Sequence, residues 1–429
     1  MAADELLKFA GEVSINKVNV ISSSGFYQDI KNQVIGIQVF EDLMSPFITG
    51  TLIIKDALDL INLFPFVGEE FVELDISTPT LKQGNIKATF YIFKMTDRQM
   101  LGDKVVVYQL HFISKEAITD VNKSISKTFG GKVSDIATKL LTSKTDGLQL
   151  TNTPKPIVET TSNETKYISN YWSPIKNILY LTGQAKNRKG SPTYVFFENR
   201  DGYNFVSLDS LFKQPSVQSF VKDNYVREDR ALGGSIKNLE EDYRRITSIS
   251  IPIGVDYLDR IQSGVYASKL ITHDLTTKVI SSNNYNMFDN FNKRNHLNKN
   301  AAASKNVIYR YGSKILFTGK YYGNFSNYGD VTSAAFEQER TSYLKMLDST
   351  KIQITVPGRM DYTVGRVVEV NLNKNEPTTK ADDKTLDNMF SGRYIITAIN
   401  HFIDREKHEC QLELSKDSLL VNLDGTKIK

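Results

Sequence analysis

The stretch YQLHFISKEAI, Tyr108 to Ile118, returns near the other end of the chain as CQLELSKDSL, Cys410 to Leu419, with Gln109 matching Gln411 and Ser114-Lys115 matching Ser415-Lys416. Working backwards from each copy, FYI at Phe90–Ile92 answers RYI at Arg393–Ile395, and GEEFVELDI at Gly68–Ile76 answers GRVVEVNL at Gly365–Leu372. A fourth block, TLIIKD at Thr51–Asp56, is matched to KLITHD at Lys269–Asp274. Four blocks in one order mark an internal duplication of a β-rich unit. The short step from Asp56 to Gly68 becomes the long one from Asp274 to Gly365, so the second copy carries an insertion.

Each block reads as strand. Ile35, Ile37, Val39 and then Leu52, Ile54 alternate around the turn-forming Ser45-Pro46, and Phe71–Ile76 and Ile86–Phe93 follow. Lys104–Ile113 is apolar on both faces at its start, the mark of a central strand. That strand density in the first 115 residues predicts a small barrel or rolled sheet. After Ile118 the period changes. Val133, Ile136, Leu140 and Leu141 predict an amphipathic helix entered from Gly130-Gly131, and Ser173-Pro174 starts a second carrying Ile175, Ile178, Leu179 and Thr182. Thr142–Asn163 is polar and reads as an extended connection, and Asn199-Arg200-Asp201-Gly202 joins Tyr194–Phe197 to Tyr203–Leu208 as a hairpin. Arg245–Ile253 opens the second copy. Its insertion holds a polar reach, Ser281–Asn306, and a helix with Phe336, Arg340, Tyr343, Leu344 and Leu347 on one face; the strands Lys351–Val356, Arg366–Leu372, Arg393–Asn400 and His408–Leu414 close the chain.

Composition bounds the function. The chain has 429 residues, 40% of them hydrophobic, with 53 Lys and Arg against 49 Asp and Glu for a net charge of +4, a bias too small to imply nucleic acid or an anionic membrane as an obligate partner. The single cysteine, Cys410, excludes an intramolecular disulfide. MAADELLKF places Asp4 and Glu5 where a signal peptide needs basic residues, no apolar run is long enough to span a bilayer, and the sequons at Asn122 and Asn163 are read as idle.

Convergent chemistry is sparse. His401 and His408 flank the turn Asp404-Arg405-Glu406-Lys407, and with Asp404 they would need a third ligand to hold a metal, so they read as solvated groups of a hairpin stem. The other histidines, His111, His273 and His296, sit in no motif. Glu69 and Glu70 are adjacent on a strand, point to opposite faces and cannot act as a glycosidase pair. Gly130-Gly131-Lys132 lacks the spacing of a phosphate loop and reads as a helix lead-in. Cys410 alternates with Leu412 and Leu414 as a small core residue, and Arg244-Arg245 beside Glu240-Glu241-Asp242 reads as a mixed-charge edge. No catalytic, cofactor-binding or metal-binding residue is assigned, and no interface residue.

ITVPGRMDYTVGRVVEVNL at Ile354–Leu372 and SGRYIITAINHFIDREKHECQLELSKDSL at Ser391–Leu419 resemble the closing domain of contractile-tail hub proteins, the baseplate hubs of T-even-like bacteriophages and the related N-terminal part of type VI secretion spike proteins. In that family Pro357-Gly358-Arg359 would open a strand pair, Gly365 would mark a turn, and Tyr394 and His401 would fall on the returning hairpin. Unlike the secretion spike proteins, the sequence stops soon after this domain without a Gly-rich β-helical spike, so on this resemblance the spike is expected to be a separate polypeptide. The resemblance implies an α+β, mainly β chain with two duplicated small antiparallel, tail-tube-like β-barrel domains and helical or mixed insertions. Its expected limits are 1–115 for the first barrel, 116–235 for a mixed peripheral domain, 236–280 with 350–420 for the second barrel, 281–349 for the insertion with its helix near 333–348, and 421–429 for a tail.

The function implied is that of a non-enzymatic homotrimer. Three chains of two units each would give a nearly sixfold ring joining a trimeric central spike to a hexameric tail tube or its initiator, beside other baseplate proteins. DNA would pass through its lumen, no membrane would be entered, and the hub would be assembled in the host cytoplasm and reside in the virion. The rival readings are a tail-associated cell-wall hydrolase, which needs a convergent acidic or metal site, and a monomeric β-rich binding module, which needs no trimer.

Overall fold

The computed structural model describes residues 9–63, 66–79, 85–102, 104–150, 154–222, 236–274, 277–305, 309–320, 336–348, 350–374, 386–405 and 407–424. The leader reading of residues 1–8, the end of the polar reach at Asn306, residues 333–335 of the expected helix, the insertion limit at 349, Glu406 and the tail beyond 424 lie outside them.

The chain opens with seven strands: β1 (Ser14–Ile21), β2 (Tyr27–Asp29), β3 (Val34–Asp42), β4 (Thr49–Asp56), β5 (Phe71–Ser77), β6 (Ile86–Met100) and β7 (Val106–Ser114). They are antiparallel in the order β3-β4-β7-β6-β5-β1-β2. β7 is central, as its doubly apolar start predicts. Alternation places Ile37, Leu52, Ile54, Val72, Leu74, Tyr108, Leu110 and Phe112 on one face, where they form one buried core.

A peripheral α/β unit follows, with β8 (Ile125–Lys132), β9 (Ile157–Val158), β10 (Glu164–Trp172), β11 (Tyr194–Asn199) and β12 (Gly202–Ser207). The helix Val133–Thr142 starts straight after Gly130-Gly131-Lys132. The helix Pro174–Thr182 is capped by Ser173, whose Oγ accepts a hydrogen bond from the Lys176 N–H. Ile136, Leu140, Ile178 and Leu181 of these helices pack on Phe196 and Phe205 of the β11–β12 hairpin.

The rest comprises β13 (Ser216–Val221), β14 (Ser248–Ile253), β15 (Ala267–Asp274), β16 (Ile280–Asn286), β17 (Asn300–Ala301), β18 (Ile315–Lys320), the helix Glu337–Leu347, and β19 (Lys351–Pro357), β20 (Val367–Asn371), β21 (Gly392–Ile403), β22 (His408–Ser415) and β23 (Ser418–Leu419). Six of these strands run in the order β14-β19-β22-β21-β20-β13. Strand for strand this repeats β3-β4-β7-β6-β5-β1, except that β13 is parallel to β20 whereas β1 is antiparallel to β5.

Two expectations are corrected. The two barrels are not there: the two halves form one 13-stranded open sheet whose path ends at β14 and β2, and among the described residues no sheet closes on itself. Closure needs the end strands of one half to bond each other, and here the free edge of β3 is bonded by β21 of the other half instead. Second, the partner of TLIIKD is not KLITHD. KLITHD lies in β15, in a separate sheet with β16 and β18, while the strand equivalent to β4 is β19, KIQITVP. A short apolar alternation ending in Asp is common to many strands, and pairing decides which of them belongs to the repeat. The insertion therefore falls between β14 and β19. The polar reach, over its described residues 281–305, carries β16, a short helix at Met287–Phe291 and β17.

The peripheral unit docks on the first half through Glu198 of β11. Its carboxylate accepts hydrogen bonds from the Ile48 N–H at 2.9 Å and the Ser114 hydroxyl at 2.5 Å, and burial pushes its pKa up to about 8. The folded state therefore holds a proton that the unfolded chain releases near pH 4.5. The stability tied to that proton is fully present below pH 4.5 and is lost as pH rises through about 8, by up to about 1.4 kcal/mol per pH unit. Glu198→Gln removes this dependence, so denaturant unfolding between pH 5 and 8 should show the variant gaining on the parent as pH rises. A constant difference between the two across that range would refute the assignment.

Candidate functional site

The candidate site is the seam between the halves and the edges that repeat it. β21 bonds β20 through Gly392–Ile395, shifts register between Ile396 and Ala398, and then bonds β3 through Ala398–Ile403. β6 is its counterpart. It bonds β5 through Ile86–Tyr91 and shifts register between Ile92 and Lys94. Beyond that shift no strand among the described residues pairs with its outer edge, and Phe93, Met95 and Met100 are exposed. The counterpart of β3 is β14, which among the described residues pairs as a strand with β19 alone and exposes Ile251, while Arg245 just before it bridges Val221 of β13.

The seam is pinned by buried charge. The β11–β12 hairpin carries Arg200 to it, where Arg200 Nη2 donates to the Tyr362 carbonyl and Nε lies 3.4 Å from Glu41 Oε1. Glu41 Oε2 accepts from the Thr363 hydroxyl and from the Val364 N–H. Asn199 donates to the Val364 carbonyl at 3.1 Å, and Arg366 pairs with Asp201 at 2.7 Å. Glu41 is fully buried, and desolvation raises its pKa although Arg200 opposes the shift. One carboxylate thus ties β3, the peripheral hairpin and the 358–366 loop together.

Beside it, His401, His408 and Cys410 meet. His401 stands directly opposite Cys410 across the β21–β22 ladder, and His408 lies two residues before Cys410 on the same face. His401 Nδ1 is 3.0 Å from His408 Nε2, and Cys410 Sγ is 3.3 Å from each nitrogen. All three residues are 0% exposed, so the solvated-stem reading of the histidines is overturned. Burial, reinforced by Arg200, lowers both histidine pKa values, His408 to about 3, and burial raises Cys410 to about 12, so all three are neutral near pH 7. The signal was in the alternation: Ile399, His401, Ile403 and His408, Cys410, Leu412 are single inward-facing sets.

The remaining candidates do not join them. Asp404 accepts from the Lys407 N–H within the β21–β22 turn. His111 bridges the hydroxyls of Thr51 and Thr96. His296 of the insertion pairs at 2.5 Å with Asp417, which lies between β22 and β23, and His273 is exposed on β15. Glu70 is buried and caps the turn before β5 by accepting from Val67, Gly68 and Glu69 N–H groups, while Glu69 is exposed. Gly130 and Gly131 sit in the β8–β10 ladder, and Arg244 and Arg245 follow one another at the end of a helix before β14.

Neither a family model nor a curated protein matches the chain. Solved structures do. The tail protein from Neisseria meningitidis MC58 is 14% identical and superposes with a TM-score of 0.52, covering 94% of this chain and 96% of that one. The 43 kDa tail protein of prophage MuSo2 from Shewanella oneidensis is 11% identical with a TM-score of 0.52, covering 94% and 98%. A component of the type VI secretion system of E. coli aligns at 8% identity over 97% and 80%, with a TM-score of 0.44, too low to define a shared fold. Over nearly its whole length, then, the chain has the fold of two tail proteins.

Arg200→Ala leaves the Glu41 carboxylate buried without its cation, and we expect it to cost about 3–5 kcal/mol in denaturant unfolding. Pairing Arg200→Met with Glu41→Gln should recover most of that loss. Equal losses in the single and double variants would show that packing, not charge, holds the seam.

Proposed function

We propose that the chain is a structural, non-enzymatic hub of a contractile phage tail baseplate. It would act as a homotrimer that joins a trimeric central spike to the hexameric tail tube and initiates the tube. The observation that carries this reading is the repeated strand order with one seam filled and one open. Within a chain, the long strand of the second half bonds the edge strand of the first. The equivalent edges, β6 beyond Ile92 and β14, have no such partner among the described residues. A copy placed head to tail can make the missing seam with the geometry of the existing one, so each added chain contributes two like units and two like seams.

Such an interface is heterologous and closes only when its rotation divides a full turn. Three chains give six similar units, a threefold object with one nearly sixfold face. That symmetry suits a hexameric tube on one side and a trimeric spike on the other. Phe93, Met95 and Met100 on β6 and Ile251 on β14 supply apolar surface for the junction. The fold shared with two tail proteins and the hub-like segment Ile354–Leu419 support the same reading. In it, the ring's bore lies on the path of the ejected DNA and the protein resides in the virion.

Light scattering across a size-exclusion peak, with class averages from electron microscopy, should give a trimer with six similar lobes, alone or on adding a spike partner. A stable monomer without annular averages, even with tail partners present, would defeat the proposal. Ile251→Lys places a charge on the edge strand and should shift the trimer toward monomer while changing the chain's own unfolding by less than about 0.5 kcal/mol.

A further inference from the structure

We propose that His401 Nδ1, His408 Nε2 and Cys410 Sγ bind a zinc-class divalent cation that locks the β21–β22 hairpin at the seam. One thiol and two imidazoles are a donor set that prefers zinc among the common cellular cations. Their ligand atoms lie within 4.8 Å of one another, with separations of 3.0, 3.3 and 3.3 Å. A tetrahedral ion with ordinary bonds, about 2.0–2.1 Å to nitrogen and 2.3 Å to sulfur, sets donors roughly 3.3–3.6 Å apart. The trio is thus within a few tenths of an ångström of a coordination face, and each side chain need only draw back slightly to admit the ion.

The site is also held in place. His401 and Cys410 are fixed by direct cross-strand pairing and His408 by its position on the same strand. Gly358 packs flat against the His408 ring, where a Cβ would come within 2.2 Å of it, and the Gly11 carbonyl accepts the His408 N–H. The Tyr362 carbonyl faces His401, the kind of outer partner that orients a ligating imidazole. The surrounding charges are paired, Arg200 with Glu41 and Arg359 with Asp361, two carboxylates against two guanidinium groups, so the field does not exclude a cation. Binding would release the Cys410 thiol proton to solvent and form a sulfur–metal bond, with both imidazoles neutral. The Arg359 carbonyl oxygen, 4.0 Å from Cys410 Sγ, or a water would complete the tetrahedron.

The test uses the full chain without a histidine tag, isolated from zinc-supplemented cells, and separately unfolded and refolded with cobalt(II). Elemental analysis should find about one zinc per chain. The cobalt form should show the near-ultraviolet thiolate-to-metal charge-transfer band and tetrahedral visible bands. Cys410→Ser should lose the charge-transfer band and most of the zinc, and His401→Gln should lower the zinc content. Wild-type chain that carries no stoichiometric metal and gives no cobalt band would overturn the proposal and leave the trio as a hydrogen-bonded core cluster. The cobalt spectrum of the wild type decides the matter even if a variant fails to fold.

Discussion

The structure depends on the need of one long strand to satisfy two neighbours. β21 is 12 residues long, and its first part is bonded by β20, but that strand ends and leaves Ala398–Ile403 with a bare row of N–H and C=O groups. Buried backbone groups left unpaired are costly, and β3 supplies the partners. The register shift at Thr397 turns the strand toward it. From this one pairing follow the single continuous sheet, the failure of either half to close, and the meeting place for the peripheral hairpin, the 358–366 loop and the segment around Gly11.

The polar groups gathered there differ in kind from those on the surface. Lys17 and Glu73 approach to 2.7 Å but remain 43% and 31% exposed, where solvent screening leaves an ion pair worth little. Glu41 and Arg200 are almost wholly enclosed, so their attraction is weakly screened and their desolvation is costly. Such a pair adds little net stability beyond what apolar side chains of the same shape would give. Its effect is directional: only one placement of the Arg200 hairpin satisfies Glu41, and that placement sets the peripheral unit on the sheet. Glu198 acts similarly at the other contact, as a neutral acid accepting from Ile48 and Ser114.

Much of this was legible in the residues. The blocks at β5 and β20, β6 and β21, and β7 and β22 share strand period and order, and the structure places each pair at equivalent positions in the sheet. The helices at Val133 and Pro174 and the Arg200-Asp201 turn follow from local spacing, capping and turn chemistry, which need no tertiary information. What failed was long-range. Whether a sheet closes depends on which edges meet, and alternation carries no record of partners. KLITHD and KIQITVP are both plausible matches to TLIIKD, and only the ladder with β22 distinguishes them. His401 and His408 were misread because polar identity outweighed phase, although both lie in step with buried Ile399 and Leu412.

The two junctions of the repeat are chemically unequal, and the inequality makes sense of the single chain. Where the second half has Cys410 among histidines, the first has Tyr108, whose hydroxyl reaches Asp56. The internal seam is buried and pinned by Glu41 and Arg200, while the equivalent outer edges are blunted. β6 carries a second register shift between Thr96 and Gln99, with Asp97 at a φ of 54°, and β14 carries Pro252. A bulge and a proline both limit indefinite edge-to-edge pairing and so discourage fibrous growth. In the proposed ring, covalent duplication would make one seam of each pair permanent and leave the other dependent on a neighbour, so that a chain could fold as a unit before the ring closed.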